Sequence, residues 1–297
     1  MKLLRTPEER FASLKDYPFA PHYVEVDGIR IHYVEEGPAD GECVLLMHGE
    51  PSWSYLYRFM IPPLVEAGYR VVAPDLVGFG RSDKPSEQSD YTYQRHVDWM
   101  TAWLEAVGLT DISLFCQNWG GLIGLRLVAE RSSLFKRVVA ANTFLPTGKS
   151  KAPEAFLMWQ EFARSSPKFD VGRVLNNGSV RQLDADEIAA YDAPFPDDSY
   201  KAGARVFPAL VPTSPEDPAI PACLAAWEVL RKWDKPFITA FSDMDPITKG
   251  GEKYLEANIP GANGQAHTIT KNAGHFLQED AGPELAQLII NFIKQNP

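Results

Sequence analysis

The chain has 297 residues, of which 45% are apolar, and a formal net charge of −10 at pH 7. That length allows about one to two domains, and the excess of acid argues against nucleic acid or an anionic membrane as a partner. No run of roughly 18 apolar residues that could span a bilayer is present, the N-terminus lacks the apolar stretch of a signal peptide, and Cys43, Cys116 and Cys223 are odd in number and too scattered for a disulfide framework or a zinc site; the expectation is a cytoplasmic chain with reduced thiols, no metal and no cofactor.

In chain order, Tyr23–Val26 and Ile29–Tyr33 alternate as a strand pair joined at Asp27-Gly28. A buried strand, Cys43–Met47, leads into His48-Gly49-Glu50-Pro51-Ser52-Trp53, and a helical run is expected from about Trp53 to Ala67, stopped at Gly68. Strand Tyr69–Ala73 and a loop through Asp75 and Asp83 precede a helix from about Tyr93 to Val107. After the strand Ile112–Gln117 and a following helix comes the strand Arg137–Asn142. Fully apolar strands alternating with amphipathic helices predict an α/β fold with a mostly parallel sheet covered on both faces. From about 147 to 212 the strand pattern vanishes: helices are expected at Pro153–Ala163 and Asp184–Tyr191, the second opened by an Asp184/Glu187 capping box. The pattern resumes with strands Pro236–Phe241 and His267–Thr270 and a last helix, Pro283–Lys294. The expected division is therefore a core in two parts, 1–146 and 213–297, with a helical cap inserted at 147–212.

One stretch organises this arrangement. In Cys116-Gln117-Asn118-Trp119-Gly120-Gly121 an apolar strand breaks sharply into a helix, with small residues two before and two after the central position, the pattern of a nucleophile elbow. Such a turn lifts one side chain alone above the sheet edge and aims the next backbone amide at the same point. Asp245, in Ser242-Asp243-Met244-Asp245-Pro246, and His275, in Ala273-Gly274-His275-Phe276, each follow a strand, and the order nucleophile, acid, histidine is that of the α/β-hydrolases. Asp245 is preferred to Asp243 as the acid because it precedes the Pro-Ile turn. His48 is expected to shape the turn after its strand. The central residue is Asn118, whose uncharged carboxamide is a very poor nucleophile.

The stretches Arg5–Phe11, His48–Arg58, Gly78–Pro85, Gln117–Gly121, Ala193–Pro196 and Gly274–Phe276 together carry a resemblance that spans nearly the whole chain. The sequence resembles the haloalkane dehalogenases, in the subfamily of 1,2-dichloroethane-type enzymes. The resemblance implies an α/β-hydrolase fold and hydrolysis of a small haloalkane to an alcohol and halide through an alkyl ester on an aspartate, which it places at position 118. It further implies that His275 is the general base held by Asp245, that the indoles of Trp119 and Trp159 bind the halide, and that the backbone amides of Glu50 and Trp119 form the oxyanion hole. Plain packing against Phe156 and Phe162 is the competing role for Trp159. Phe144, Phe156, Phe162, Leu210 and Phe276 are expected to wall an apolar pocket. The partners implied are a haloalkane and a halide ion, on a monomer. Where other subfamilies bind halide with an asparagine, this chain has Glu50, a carboxylate that would repel the anion and shifts that task to Trp159; the roles left for Glu50 are to hydrogen-bond the hydrolytic water or to position the loop.

Asn118 departs from that pattern, and the chain as it stands is expected to be nearly inactive. Replacement of the family's aspartate to hold substrate unreacted is favoured over a natural pseudoenzyme and over slow deamidation that restores the acid, because the surroundings remain fit for chemistry. Two alternatives carry their own marks. An epoxide hydrolase shares the elbow and needs cap tyrosines, for which Tyr191 and Tyr200 are candidates; a ligand receptor on the hydrolase scaffold would explain Asn118.

Overall fold

The computed structural model describes residues 1–149 and 151–297. Eight strands form one sheet: β1 (His22–Val26), β2 (Ile29–Glu36), β3 (Cys43–Met47), β4 (Arg70–Pro74), β5 (Ile112–Gln117), β6 (Phe135–Ala141), β7 (Phe237–Ser242) and β8 (Thr268–Thr270). Their spatial order is β1-β2-β4-β3-β5-β6-β7-β8, with β2 antiparallel to both of its neighbours and the remaining pairs parallel. Every residue of β3, β5 and β7 is buried, which is why these strands read as largely apolar, without the alternation of a half-exposed strand: helices cover both faces. The β1–β2 hairpin turns at Asp27 (φ 51°) and Gly28 (φ 76°), the two left-handed residues that a tight turn matched to strand twist requires.

The chain leaves β3 toward β4 on one side, while β5 lies on the other. A crevice therefore opens beyond the carboxyl ends of β3 and β5, as at other topological switch points. Glu50 follows β3 and Asn118 follows β5, so the topology alone brings them together across 68 positions of sequence.

The helices are α1 (Ile61–Glu66), α2 (Tyr93–Val107), α3 (Trp119–Glu130), α4 (Glu154–Ser165), α5 (Val171–Gly178), α6 (Ala185–Asp192), α7 (Ala202–Val206), α8 (Ile220–Leu230), α9 (Gly251–Asn258) and α10 (Leu277–Gln295). Thr92 caps α2 by accepting from the Arg95 amide, Gly108 ends it in the left-handed region, and the Asp184/Glu187 capping box opens α6. The single helix expected over Trp53–Ala67 is instead a 3-10 turn, Ser54–Tyr57, followed by α1. Pro62 and Pro63 lack the amide protons that a continuous helix would need there, but sit without cost in the first turn of a new one. The last helix begins earlier than expected and bends at Ala281, just before Pro283, whose pattern marks only its second part. Among the described residues no helix is long and apolar enough to cross a membrane, and the three cysteines are free and buried.

Helices α4 to α7 lie between β6 and β7 in sequence and are tied to the core by a buried ionic cluster. Arg58 and Glu279, both fully buried at their side chains, pair at 2.5 Å; Arg58 also reaches Glu187 at 2.9 Å, and Arg181 and Tyr191 close on the Glu279 carboxylate.

Candidate active site

Asn118 joins β5 to α3 with φ 53° and ψ −126°, a conformation that costs a non-glycine residue about 1–3 kcal/mol and persists only where its surroundings over-determine it. Here they do. Its N–H donates to the Asn142 carbonyl at 3.2 Å, and its own carbonyl accepts from the amides of Gly121 (2.9 Å) and Leu122 (3.2 Å) and from the Thr143 hydroxyl (2.7 Å). Close approach explains two of the small residues: a Cβ on Gly120 would run into the Met47 carbonyl, and one on Gly49 into the Asn118 side chain.

The side-chain amide of Asn118 is oriented by what faces it. Its Oδ1 accepts from the Glu50 backbone N–H at 2.8 Å, and its Nδ2 stands 3.0 Å from Nε2 of His275. Since Nδ2 can only donate, Nε2 must be the accepting nitrogen, and the imidazole proton resides on Nδ1. That proton points at Asp245 Oδ2, 3.0 Å away. Burial raises the Asp245 carboxyl, but His275, the Thr248 hydroxyl and the Ile247 amide outweigh it and hold the group down at about 2. Asp243, by contrast, faces Lys271 at the surface at 3.7 Å.

Two residues that the sequence reading did not single out hold the histidine loop. Gln117 Nε2 donates to the His275 carbonyl at 3.0 Å, and Asn142 Nδ2 donates to the carbonyls of Gly274 and His275, each at 3.1 Å, while its Oδ1 accepts from the Ser242 amide. The one signal in the sequence was a polar residue closing an apolar strand in each case. His48 is fully engaged in its turn: Nδ1 donates to the Gly49 carbonyl at 2.8 Å and Nε2 accepts from the Leu76 amide at 2.9 Å.

A cavity of about 840 Å³ lies over these groups, between the sheet's carboxyl edge and helices α4 and α5. Asn118, His275, Trp119, Trp159 and Glu50 all line it, together with Phe144, Phe156, Phe162 and Phe276. Leu210 does not: it ends the 3-10 turn Phe207–Leu210, whose winding turns Pro208 and the following Val211 to the cavity and leaves Leu210 packed at the side. Trp119 is wedged against Tyr93 and Phe207, with ring centroids at 5.2 and 4.7 Å. Trp159 stacks on Phe162 at 5.8 Å and leans on Phe169; it lines the cavity and packs in the same pose.

The Glu50 carboxyl is buried in this wall, one of its oxygens has no partner, and its peptide bond to Pro51 is cis. Burial pushes its ionisation well above the usual carboxylate range, with only the Trp159 indole N–H acting in the opposite direction. Tyr191 is enclosed by Glu279, Arg58 and Tyr55, and neither it nor Tyr200 is part of the cavity wall, so neither is placed to protonate an epoxide there.

Comparisons with known proteins address the fold and the family. The model of the alpha/beta hydrolase fold family matches residues 42–282. The chain is 58% identical to a haloalkane dehalogenase of Psychrobacter cryohalolentis over the full length of both, and 54% identical to one of Mycolicibacterium paratuberculosis over 98% of each. Among solved structures, it superposes with a TM-score of 0.91 and 37% identity on the haloalkane dehalogenase DpaA of Paraglaciecola agarilytica NO2, described as tetrameric, over 97% of both chains. By fold and full-length similarity, the chain belongs to the haloalkane dehalogenases of the α/β-hydrolase fold.

Proposed function

We propose that this scaffold hydrolyses a small haloalkane to alcohol, halide and a proton when position 118 carries an aspartate, and that Asn118 leaves the present chain nearly inactive. The observation that carries the reading is the Asn118 side chain itself, held between the Glu50 amide and His275 Nε2 on the floor of a cavity walled by two tryptophans. A carboxylate there attacks the carbon bearing the halogen; the carbon–halogen bond breaks and an alkyl ester forms. The departing anion is received by the indole N–H groups of Trp119 and Trp159, donors that bring apolar walls with them. Water then attacks the ester carbonyl, giving its proton to His275 Nε2, while Asp245 holds the imidazole's tautomer and offsets its charge. The oxyanion falls to the backbone amides of Glu50 and Trp119; the 2.8 Å bond from the Glu50 amide to Asn118 Oδ1 supports the first of these. Residues 147–212 serve as the cap that closes the pocket and supplies Trp159.

An uncharged amide cannot perform the displacement, and its substitution is expected to cost at least about 10⁴-fold, or about 5.5 kcal/mol of barrier. Asn118→Asp tests the proposal. Halide release from a short chloro- or bromoalkane, rising by that factor, supports it; diol formation from an epoxide would move the assignment to an epoxide hydrolase, and ligand binding with neither product would leave a receptor. The monomer expected from the sequence stands beside a tetrameric relative, and light scattering on the purified chain decides between them.

A further inference from the structure

Helices α4 and α5 present the cavity with opposite chemistry. From α4 come Ala155, Phe156, Trp159 and Phe162, spaced to fall on one face of the helix, and that face is apolar. From α5 come Arg173, Val174, Asn177 and Gly178, again one face, on which Arg173 and Asn177 are exposed. Ser166, Lys168 and Asp170, between the two helices, continue the polar side. Trp119, beside Asn118, is buried, so the cavity runs from an enclosed apolar floor to a polar mouth.

The charges at that mouth do not cancel. Lys168 pairs with Asp170 at 2.9 Å, whereas the Arg173 guanidinium makes no hydrogen bond or ion pair among the described residues. Every other arginine of the chain holds a carboxylate or a backbone carbonyl. A guanidinium presents a planar fork of donors that matches a carboxylate, and this one stands unengaged on the cavity wall. The cavity is also long-chain in scale: its volume of about 840 Å³ lies within the range of about 300–1,000 Å³ that encloses drug-sized ligands, far more than a two-carbon haloalkane fills. The net charge of −10 opposes an anion only at short range, since salt screens it beyond about 8 Å, and the nearest uncompensated charge at the mouth is positive.

We propose that the preferred substrates are haloalkanes carrying a carboxylate at the far end of the chain, with the halogen at the floor beside position 118, the alkyl chain along the α4 face, and the carboxylate received by Arg173 at the mouth. This rests on the dehalogenase reading above. The carboxylate is a handle and takes no part in the reaction: the carbon–halogen bond breaks, water supplies the oxygen of the new carbon–oxygen bond, and the products are an ω-hydroxyalkanoate, halide and a proton.

Bromide release by a chain carrying Asn118→Asp tests it, with ω-bromohexanoate, ω-bromooctanoate and ω-bromodecanoate each set against the ω-bromoalcohol of the same length. The quantity read is the ratio of kcat/KM for acid over alcohol. At low ionic strength that ratio is expected to reach about three- to tenfold for at least one chain length. It is expected to fall toward one in Arg173→Gln, to drop below one in Arg173→Glu, and to shrink in about 0.5 M salt. Arg173 is exposed and holds nothing, so its replacement leaves the fold intact. A ratio at or below one at every length, or one that survives Arg173→Gln or is indifferent to salt, overturns the inference. Bromide release from the alcohols with no preference for the acids sinks this inference alone, while no release from any of these compounds or from bromohexane sinks the dehalogenase reading with it.

Discussion

Replacing Asp245 by asparagine, in a chain that carries Asn118→Asp, separates the two proposed chemical steps. Displacement of halide uses the carboxylate at 118 and the indoles; only hydrolysis of the ester needs His275 as a base. Asp245 Oδ1 accepts from the Ile247 amide at 2.9 Å, while Oδ2 accepts from the Thr248 amide at 3.3 Å, from the Thr248 hydroxyl and from His275 Nδ1 at 3.0 Å. An asparagine has one accepting oxygen for these sites. If that oxygen turns to Ile247, the NH₂ faces the Thr248 amide and donates to His275 Nδ1, which drives the imidazole proton to Nε2 and removes the lone pair meant for water. Turned the other way, the NH₂ faces the Ile247 amide. Either pose leaves a buried donor without its acceptor, costing about 1–3 kcal/mol, and the wrong tautomer is expected to slow hydrolysis by about 10⁴, or about 5.5 kcal/mol. Rapid-quench halide assays with intact-mass detection should then show one halide per site followed by a stall on the alkyl ester; sustained turnover at the parental rate would refute the assignment.

The same pair predicts an acid limb in stability. Asp245 titrates near 2 in the folded chain against an ordinary 3.8. A carboxyl lowered on folding contributes stability that is complete above its unfolded value and is lost as pH falls through the folded one. The contribution is about 2 kcal/mol, fading between roughly pH 4 and pH 2, and urea unfolding of the parent and of Asp245→Asn should converge across that window.

Two further outcomes follow from the geometry. Trp119→Phe and Trp159→Phe should each weaken bromide binding by about tenfold or more, since each removes a hydrogen bond to an anion while the ring still fills its place; equal affinity in either variant would remove that indole from the halide site. Glu279→Gln takes the shared carboxylate from Arg58 and Arg181, and breaking a buried pair of this kind costs about 3–5 kcal/mol, read by calorimetry as a fall in melting temperature on the order of 10 °C; a change within a degree or two would show that solvent reaches the cluster.

The elbow was legible because its demands are local: a strand ending in small residues leaves one side chain no room but outward, and a sequence writes that within six positions. His275 and Asp245 were legible from their order after the elbow and from their places a few residues past the strands Thr268–Thr270 and Phe237–Ser242. Asn142 and Gln117 were not, because their work is to join loops more than a hundred positions apart, and periodicity carries no record of such pairing. Asp280 is the same case: its carboxylate gathers the amides of Gly274, Val180 and Arg181, tying the histidine loop to the segment that follows α5, yet in sequence it is one acid among several at a helix start. Leu210 failed as a wall residue because a short 3-10 turn decides direction residue by residue, where composition only says apolar.

Asn118 fits this site in one respect better than an aspartate does. With the imidazole proton on Nδ1, facing Asp245, the nitrogen turned to position 118 is an acceptor. A carboxylate would set a second acceptor against it, so that the two groups must part or admit a water between them, and it is such a water that hydrolysis requires. The amide instead donates to Nε2 and accepts from Glu50, closing a chain of hydrogen bonds from the β3 loop to Asp245. In the proposed reading, an NH₂ in place of one carboxylate oxygen takes away the nucleophile and binds Nε2 directly, while the cavity and both tryptophans are left as they were. A chain in that state should hold halide or haloalkane in a settled site and turn over neither.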